Sequence, residues 1–199
     1  MIDPDNSIDM LICQTYAHNN DWPANNWRAA RGDNAGQKWK FLIWDAEIAF
    51  RPGEQSSLVT GTRSPDPAVQ FSDDQGVMQL HTGLKNYGPY KARFSSRLVQ
   101  HFDTAGGVFA MNGASDGAVQ LVQAEMAKFQ AVLFCESARW GYMDVMSNPV
   151  SFTKSDTNYL VGKPYGDWDR NTSYLLNQWL PQRRTYYLSR MQTIGLYQP

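Results

Sequence analysis

Cysteine is almost missing from this chain: Cys13 and Cys135 are the only two in 199 residues. Two cysteines so far apart make neither a disulfide framework nor a metal pattern. Both lie in apolar stretches with helical spacing, so buried free thiols are expected. Histidine is as scarce, and His81 and His101 have no partner pattern. No apolar run approaches the ~20 residues needed to span a bilayer. The first residues, Met1-Ile2-Asp3-Pro4-Asp5, carry neither a basic region nor an apolar signal core. Charge of one sign is lacking too. The formal net charge is −1, which argues against a nucleic-acid surface and against a polybasic membrane patch.

What is present is a hydrophobic fraction of 42%, with seven Trp and ten Tyr. That is enough for one domain with a real core over residues 1–199. Apolar Ile8, Leu11, Ile12 and Thr15 or Tyr16 fall on one helical face, so residues 4–17 are predicted helical, with Pro4 in the first turn and Asp3, Asp5 and Asp9 at the positive end. Trp27–Arg31 and Gln37–Ile43 are predicted strands. Gly32 to Gly36 joins them as a loop with glycine at both ends, where positive φ is easiest. Such a hairpin returns the chain, so Asp21 before it and Asp45 after it should finish close together.

Residues 51–76, rich in Gly, Pro, Ser and Asp, read as one long loop, functional or mobile. Tyr90, Phe94, Leu98 and Phe102 recur every four residues, predicting a helix from Gly88 to Phe102 that Gly106 and Gly107 end. Asp116 is the expected N-cap of a further helix running to Arg139, whose stripe Val119, Val122, Met126, Phe129 and Leu133 is expected to be core. A last helical region holds Leu175, Leu176, Trp179 and Leu180. There Pro181 either kinks the helix or starts a new one, and Gly195 ends it. The fold class predicted is α+β, mainly α, with four or five helices and one small hairpin.

The densest chemical signal is Asn20-Asp21-Trp22-Pro23-Ala24-Asn25-Asn26 with Trp44-Asp45-Ala46-Glu47. Phosphoryl transfer needs such a set: a carboxylate to orient the attacking hydroxyl, and an amide oxygen with a second carboxylate to hold Mg²⁺. Hard oxygen donors suit Mg²⁺ and not zinc. A purely structural reading stands beside it, because Asp and Asn bond their own backbone in turns. Two of Asp21, Asp45 and Glu47 would also serve a glycoside hydrolase, with a separation of about 5–5.5 or 6.5–9.5 Å. Of the other polar residues, His18 is expected to cap helix-end carbonyls. Arg183 and Arg184 are expected on a solvated helix face. Trp22, Trp27, Trp39 and Trp44 are expected to pack the small sheet.

These stretches, with Lys38-Trp39-Lys40-Phe41-Leu42-Ile43 before Trp44, Glu136-Ser137-Ala138-Arg139-Trp140-Gly141, Trp179-Leu180-Pro181-Gln182-Arg183 and Gly195-Leu196-Tyr197, resemble the CotH family of spore-coat-type atypical protein kinases over nearly the whole chain. The resemblance implies a protein-kinase C-lobe-like helical domain whose hairpin carries the catalytic loop. It implies Asp21 as catalytic aspartate, and Asn26, Asp45 and Glu47 as Mg²⁺ ligands, Glu47 standing where many relatives carry aspartate. ATP would be the second cofactor, and Ser/Thr of bacterial coat or cell-surface proteins the acceptors. Ser56, Ser57, Thr60, Thr62 and Ser64 would occupy the place of an activation loop. In place of the His-Arg that precedes the kinase aspartate stands Asn19-Asn20. Residues 1–20 hold neither the glycine nor the lysine of a nucleotide-gripping lobe, so the chain is expected to be the C-terminal half of such a domain, inactive alone. A non-catalytic module of a coat or surface assembly is the alternative.

Overall fold

The computed structural model describes residues 1–19, 22–46, 49–50, 66–112, 115–140 and 172–199, with the backbone alone for 115 and 130–140. It is mainly helical with small antiparallel sheets, broadly α+β. The chain divides into two compact units, Met1–Ala110 with Gln182–Pro199, and Met111–Pro181.

The first unit is built on helix α1, Pro4–Tyr16. The Asp3 carboxylate accepts from the Asn6 N–H, and Pro4 fills the first turn, where no N–H is needed. Ile8, Leu11, Ile12, Thr15 and Tyr16, the face predicted from spacing, are all buried. Helix α4, Gly88–Phe102, lies against α1 and buries Phe94, Leu98 and Phe102. Each such side chain is worth about 1.5–3 kcal/mol on leaving water, so the stripe decides that the two helices dock. Their register is fixed by polar forks. Arg93 holds Asp5 through Nε–Oδ1 at 2.6 Å and Nη2–Oδ2 at 2.9 Å, and Arg97 holds both oxygens of Asp9. His101 Nε2 lies 2.9 Å from Asp9 Oδ1. Asp9 therefore serves this interhelical fork, beyond the dipole role its sequence position suggests.

Two short helices precede α4. Helix α2, Pro67–Gln70, starts where Asp66 accepts from the Ala68 N–H at 2.9 Å. This corrects the single long loop expected over 51–76: Asp-Pro is a cap followed by a first-turn proline. Helix α3, Met78–Leu84, has too little sequence for a stripe and escaped the pattern reading. It buries His81, whose Nδ1 lies 3.0 Å from the Tyr90 hydroxyl. Burial, and secondarily the charge of Lys85, pulls the His81 pKa down to about 4. On α1 the Cys13 thiol is free and half-buried, pushed up to about 11 by burial first and the Asp9 charge second.

Strands β1, Trp27–Ala30, and β2, Lys40–Ile43, pair antiparallel with Trp27 opposite Ile43 and Ala30 opposite Lys40. Both are shorter than predicted, and the outer edge of β2 is bonded by residues outside the hairpin. Trp39 is captured by the segment before α1: its N–H donates to the Met1 carbonyl and its carbonyl accepts from the Asp3 N–H, each at 2.9 Å. Two residues on, Asn6 completes the edge, accepting from the Phe41 N–H at 2.5 Å and donating to its carbonyl at 3.2 Å. The two-residue step is that of a strand edge, where alternate residues turn their polar groups outward. Of the two loop glycines, Gly36 has the expected positive φ of 87°, while Gly32 does not. A Cβ on Gly32 would lie 1.7 Å from Gln37 Oε1, so that glycine makes room for an amide.

In the second unit a two-residue pair, β3 Met111–Asn112 with β4 Ser115–Asp116, leads into helix α5, Gly117–Trp140. Asp116 caps it as expected, accepting from the Ala118 N–H at 2.8 Å. The predicted core stripe is not buried along its described length: Val119, Val122 and Met126 are half-buried and Phe129 is 56% exposed. A 3.6-residue stripe says which side of a helix is apolar, and tertiary partners decide whether it is covered. The pair Glu136–Arg139, Leu133 and Cys135 lie outside the described side chains. A π-helical turn, Leu175–Trp179, runs into helix α6, Leu180–Thr193. The wide turn ends two residues before Pro181, whose ring would collide with a regular preceding turn. The helical run continues unbroken through Leu180, so the proline is accommodated within it and starts no new helix. Gly195, with φ 74°, ends the chain's last helical stretch.

Candidate functional site

The candidate site is built at the C-terminal end of α1 and at the open end of the hairpin. At the helix end the chain reverses through the left-handed residue His18, φ 52°. The His18 N–H donates to the Thr15 carbonyl and the Asn19 N–H to the Gln14 carbonyl at 3.0 Å, the paired bonds of a Schellman ending. The histidine thus closes the helix with its backbone, and it is fully buried. Asn19, equally buried, adds a side-chain bond to Gln14 Oε1 at 3.0 Å.

Helix α6 brings further donors to two carbonyls of this buried helix end. Arg183 donates through Nε to the Tyr16 carbonyl at 2.8 Å and through Nη2 to the Thr15 carbonyl at 2.5 Å. Arg183 is 4% exposed, which overturns the solvated helix face expected for it. A cation here also complements the negative end of the helix dipole. The Tyr187 ring lies beneath the guanidinium at 5.6 Å, and its hydroxyl is 2.8 Å from Thr15 Oγ1. Burial lowers the Arg183 pKa and the aromatic neighbours oppose that shift. Arg184 is also engaged, donating to the Phe102 carbonyl and to Asp103.

Beyond the reversal, Trp22 and Pro23 are buried and joined by a cis peptide bond. The Pro23 carbonyl accepts from Trp27 Nε1 at 3.1 Å. The same carbonyl comes so close to Gly76 that a Cβ there would lie 2.0 Å from it, and Gly76 also has a positive φ of 49°. Glycine is required at that position on both counts.

Asn26 enters β1 and Asp45 leaves β2, and the hairpin register brings them together. The Trp44 N–H donates to the Asn26 carbonyl at 3.3 Å, and Asn26 Nδ2 reaches the Asp45 carbonyl at 3.5 Å. Both residues are left-handed, with φ of 59° and 55°. After Asp45 a turn closes from the Ala49 N–H to the Ala46 carbonyl, and the Phe50 N–H returns to the Ala17 carbonyl at 2.7 Å. The two loops are therefore stitched at both ends, Ala17 to Phe50 and Asn26 to Asp45. Among the described residues, the only non-glycine positions with positive φ are His18, Asn26, Asp45 and Phe50, all in this one segment. Each costs roughly 1–3 kcal/mol, and such outliers gather at functional sites.

Of the predicted site residues, the structure brings Asn26 and Asp45 together, while Asp21 and Glu47 lie outside the described residues, as do Ser56 to Ser64. Among the described residues no three His, Cys, Asp or Glu side chains gather in a group that could hold a metal. The exposed Asp45 carboxylate and the half-buried Asn26 amide are hard oxygen donors of the kind Mg²⁺ takes. Sequence reasoning misplaced Arg183 on a solvated face and missed the roles of Asn6 and Gly76. Of these, only Gly76 left a local signal, a glycine between Gln75 and an apolar run. Among the described residues no helix is long and apolar enough to cross a membrane. Comparison with protein-family models, with characterised proteins and with solved structures finds no match to this chain.

Proposed function

We propose that this chain carries the catalytic-loop and metal-binding side of a CotH-type, kinase-like phosphoryl-transfer site, within a helical frame akin to a kinase C-lobe. The observation that supports this best is the cluster of left-handed, non-glycine positions around Asn26 and Asp45. The left-handed turn at His18 ends α1, but those at Asn26 and Asp45 end no helix, and such outliers gather at functional sites. In this reading Asp21 accepts the proton of a Ser or Thr hydroxyl, and Asn26 and Asp45, with Glu47, hold Mg²⁺. Mg²⁺ supplies charge neutralisation of the ATP phosphates. The remaining work of the chain is positioning: Arg183 and the Schellman turn set where the loop leaves α1, and the hairpin sets the distance from Asn26 to Asp45. The acceptors are proteins of a coat or cell surface.

Calorimetry of ATP with and without Mg²⁺ on the longest natural form of this reading frame tests the proposal. Binding should require Mg²⁺ and vanish in Asp45→Ala. If the long form binds no nucleotide, the phosphoryl-transfer reading fails and a non-catalytic module of a coat or surface assembly replaces it.

A further inference from the structure

We propose that the outer face of the β1–β2 hairpin docks on an anionic lipid surface, an inference independent of the phosphoryl-transfer reading. Strand alternation puts Arg28, Ala30, Lys40, Leu42 and Trp44 on one face, and every one of them is exposed. Leu42 is 50% exposed, and Trp44, expected to pack the sheet, is 55% exposed. On the other face of the strand Trp39 is 41% exposed and Ile43 44% exposed. Large apolar side chains concentrated in this way on one short element need a partner.

The charge of the same element says which partner. Between Trp27 and Trp44 the chain holds Arg28, Arg31, Lys38 and Lys40 against Asp33 alone, in a protein of net charge −1. The overall balance conceals a basic island. Arg31, Lys38 and Lys40 line an open groove of about 690 Å³ with Asp3 and Leu42. Two of the cations are seated on the tryptophans: Arg28 lies 5.1 Å from the Trp44 ring centre and Arg31 5.4 Å from that of Trp39. An arginine resting on an indole offers an apolar body with a charged rim, which is what the boundary between acyl chains and headgroups accepts. Apolar insertion and anionic attraction together are the two signals that peripheral attachment requires.

Other anionic partners fit less well. A single-stranded nucleic acid would use the rings and cations but leave Leu42 exposed. A stable protein interface takes roughly 20–30 residues a side, far more than this face offers. Strand addition at the free edge of β1 is obstructed, because Arg28 Nη1 already donates to the Trp27 carbonyl at 3.0 Å.

The test is flotation of the full chain with phosphatidylcholine vesicles, with and without phosphatidylserine, while tryptophan emission is followed. Binding is expected only with phosphatidylserine, with a blue shift, and weakening as salt rises. Lys40→Gln should weaken it about fivefold. The double reversal Arg28→Glu/Lys40→Glu should abolish it, and Leu42→Ser/Trp44→Ser should remove the blue shift and at least about tenfold in affinity. Lys85→Glu/Lys91→Glu, away from the hairpin, should change nothing. Three results would overturn the proposal: no binding to phosphatidylserine vesicles, binding indifferent to the hairpin variants, or capture by soluble heparin or polyphosphate with no blue shift and no vesicle binding.

Discussion

The two ends of the candidate site are held in opposite ways. At the end of α1 the loop is anchored in the core, where His18 and Asn19 are buried and Arg183 and Tyr187 close the helix from a distant part of the chain. At the hairpin end, Asp45 and its neighbours Leu42, Ile43 and Trp44 are exposed, and the strand is steadied at one edge by Asn6 and the residues before α1. The first is a foundation, whose alteration should appear as lost stability. The second is a working surface, whose alteration should appear as lost binding with little change in stability.

The largest expected effect is at the foundation. Arg183→Ala removes two charge-assisted hydrogen bonds to the buried end of α1 and should destabilise the protein by about 3 kcal/mol, read from urea unfolding. A cost within about 0.5 kcal/mol, the range of ordinary surface substitutions, would show that the helix end is not anchored this way.

Next is a pH response. The folded-state pKa of His81 lies near 4, below the ordinary value of 6.5. Between those values the unfolded chain binds a proton that the folded chain refuses, so stability should fall as pH drops from about 6.5 to 4, by about 3 kcal/mol. His81→Gln should flatten that slope. An unchanged slope would place the titration elsewhere.

A smaller effect sharpens the hairpin side. Asn6→Ala removes both side-chain bonds to Phe41 and should cost about 1–2 kcal/mol. Hydrogen exchange at the Phe41 amide should accelerate more than at Leu98. Smallest of all, Trp44→Ser should leave stability within about 0.5 kcal/mol, since that ring is more than half exposed. A large loss there would mean the surface is part of the foundation.

The parts legible in sequence are those that local chemistry dictates. Helix α4 has its stripe, and α5 its Asp116 cap. The hairpin has two apolar runs about a glycine loop, which was enough to bring Asn26 and Asp45 together. What could not be read depends on remote partners. Nothing near Trp39 announces that Met1 and Asp3 will take its backbone bonds at the outer edge of β2. The burial of Arg183 depends on carbonyls 167 and 168 positions away. Phe129 belongs to a clear stripe, and only tertiary contacts decide that it stays exposed. Net charge over the whole chain says nothing of how the cations are distributed, and those of the hairpin are Arg28, Arg31, Lys38 and Lys40.

The central claim is that Asn26 and Asp45 form one cation-binding pair. Nitrogen-15 spectra of the chain recorded during a Mn²⁺ titration test it most directly. The account predicts early paramagnetic broadening of the Asn26, Trp44 and Asp45 amides that disappears in Asp45→Ala while the rest of the spectrum stays folded. Broadening that spares these amides, or that persists unchanged in Asp45→Ala, would contradict it.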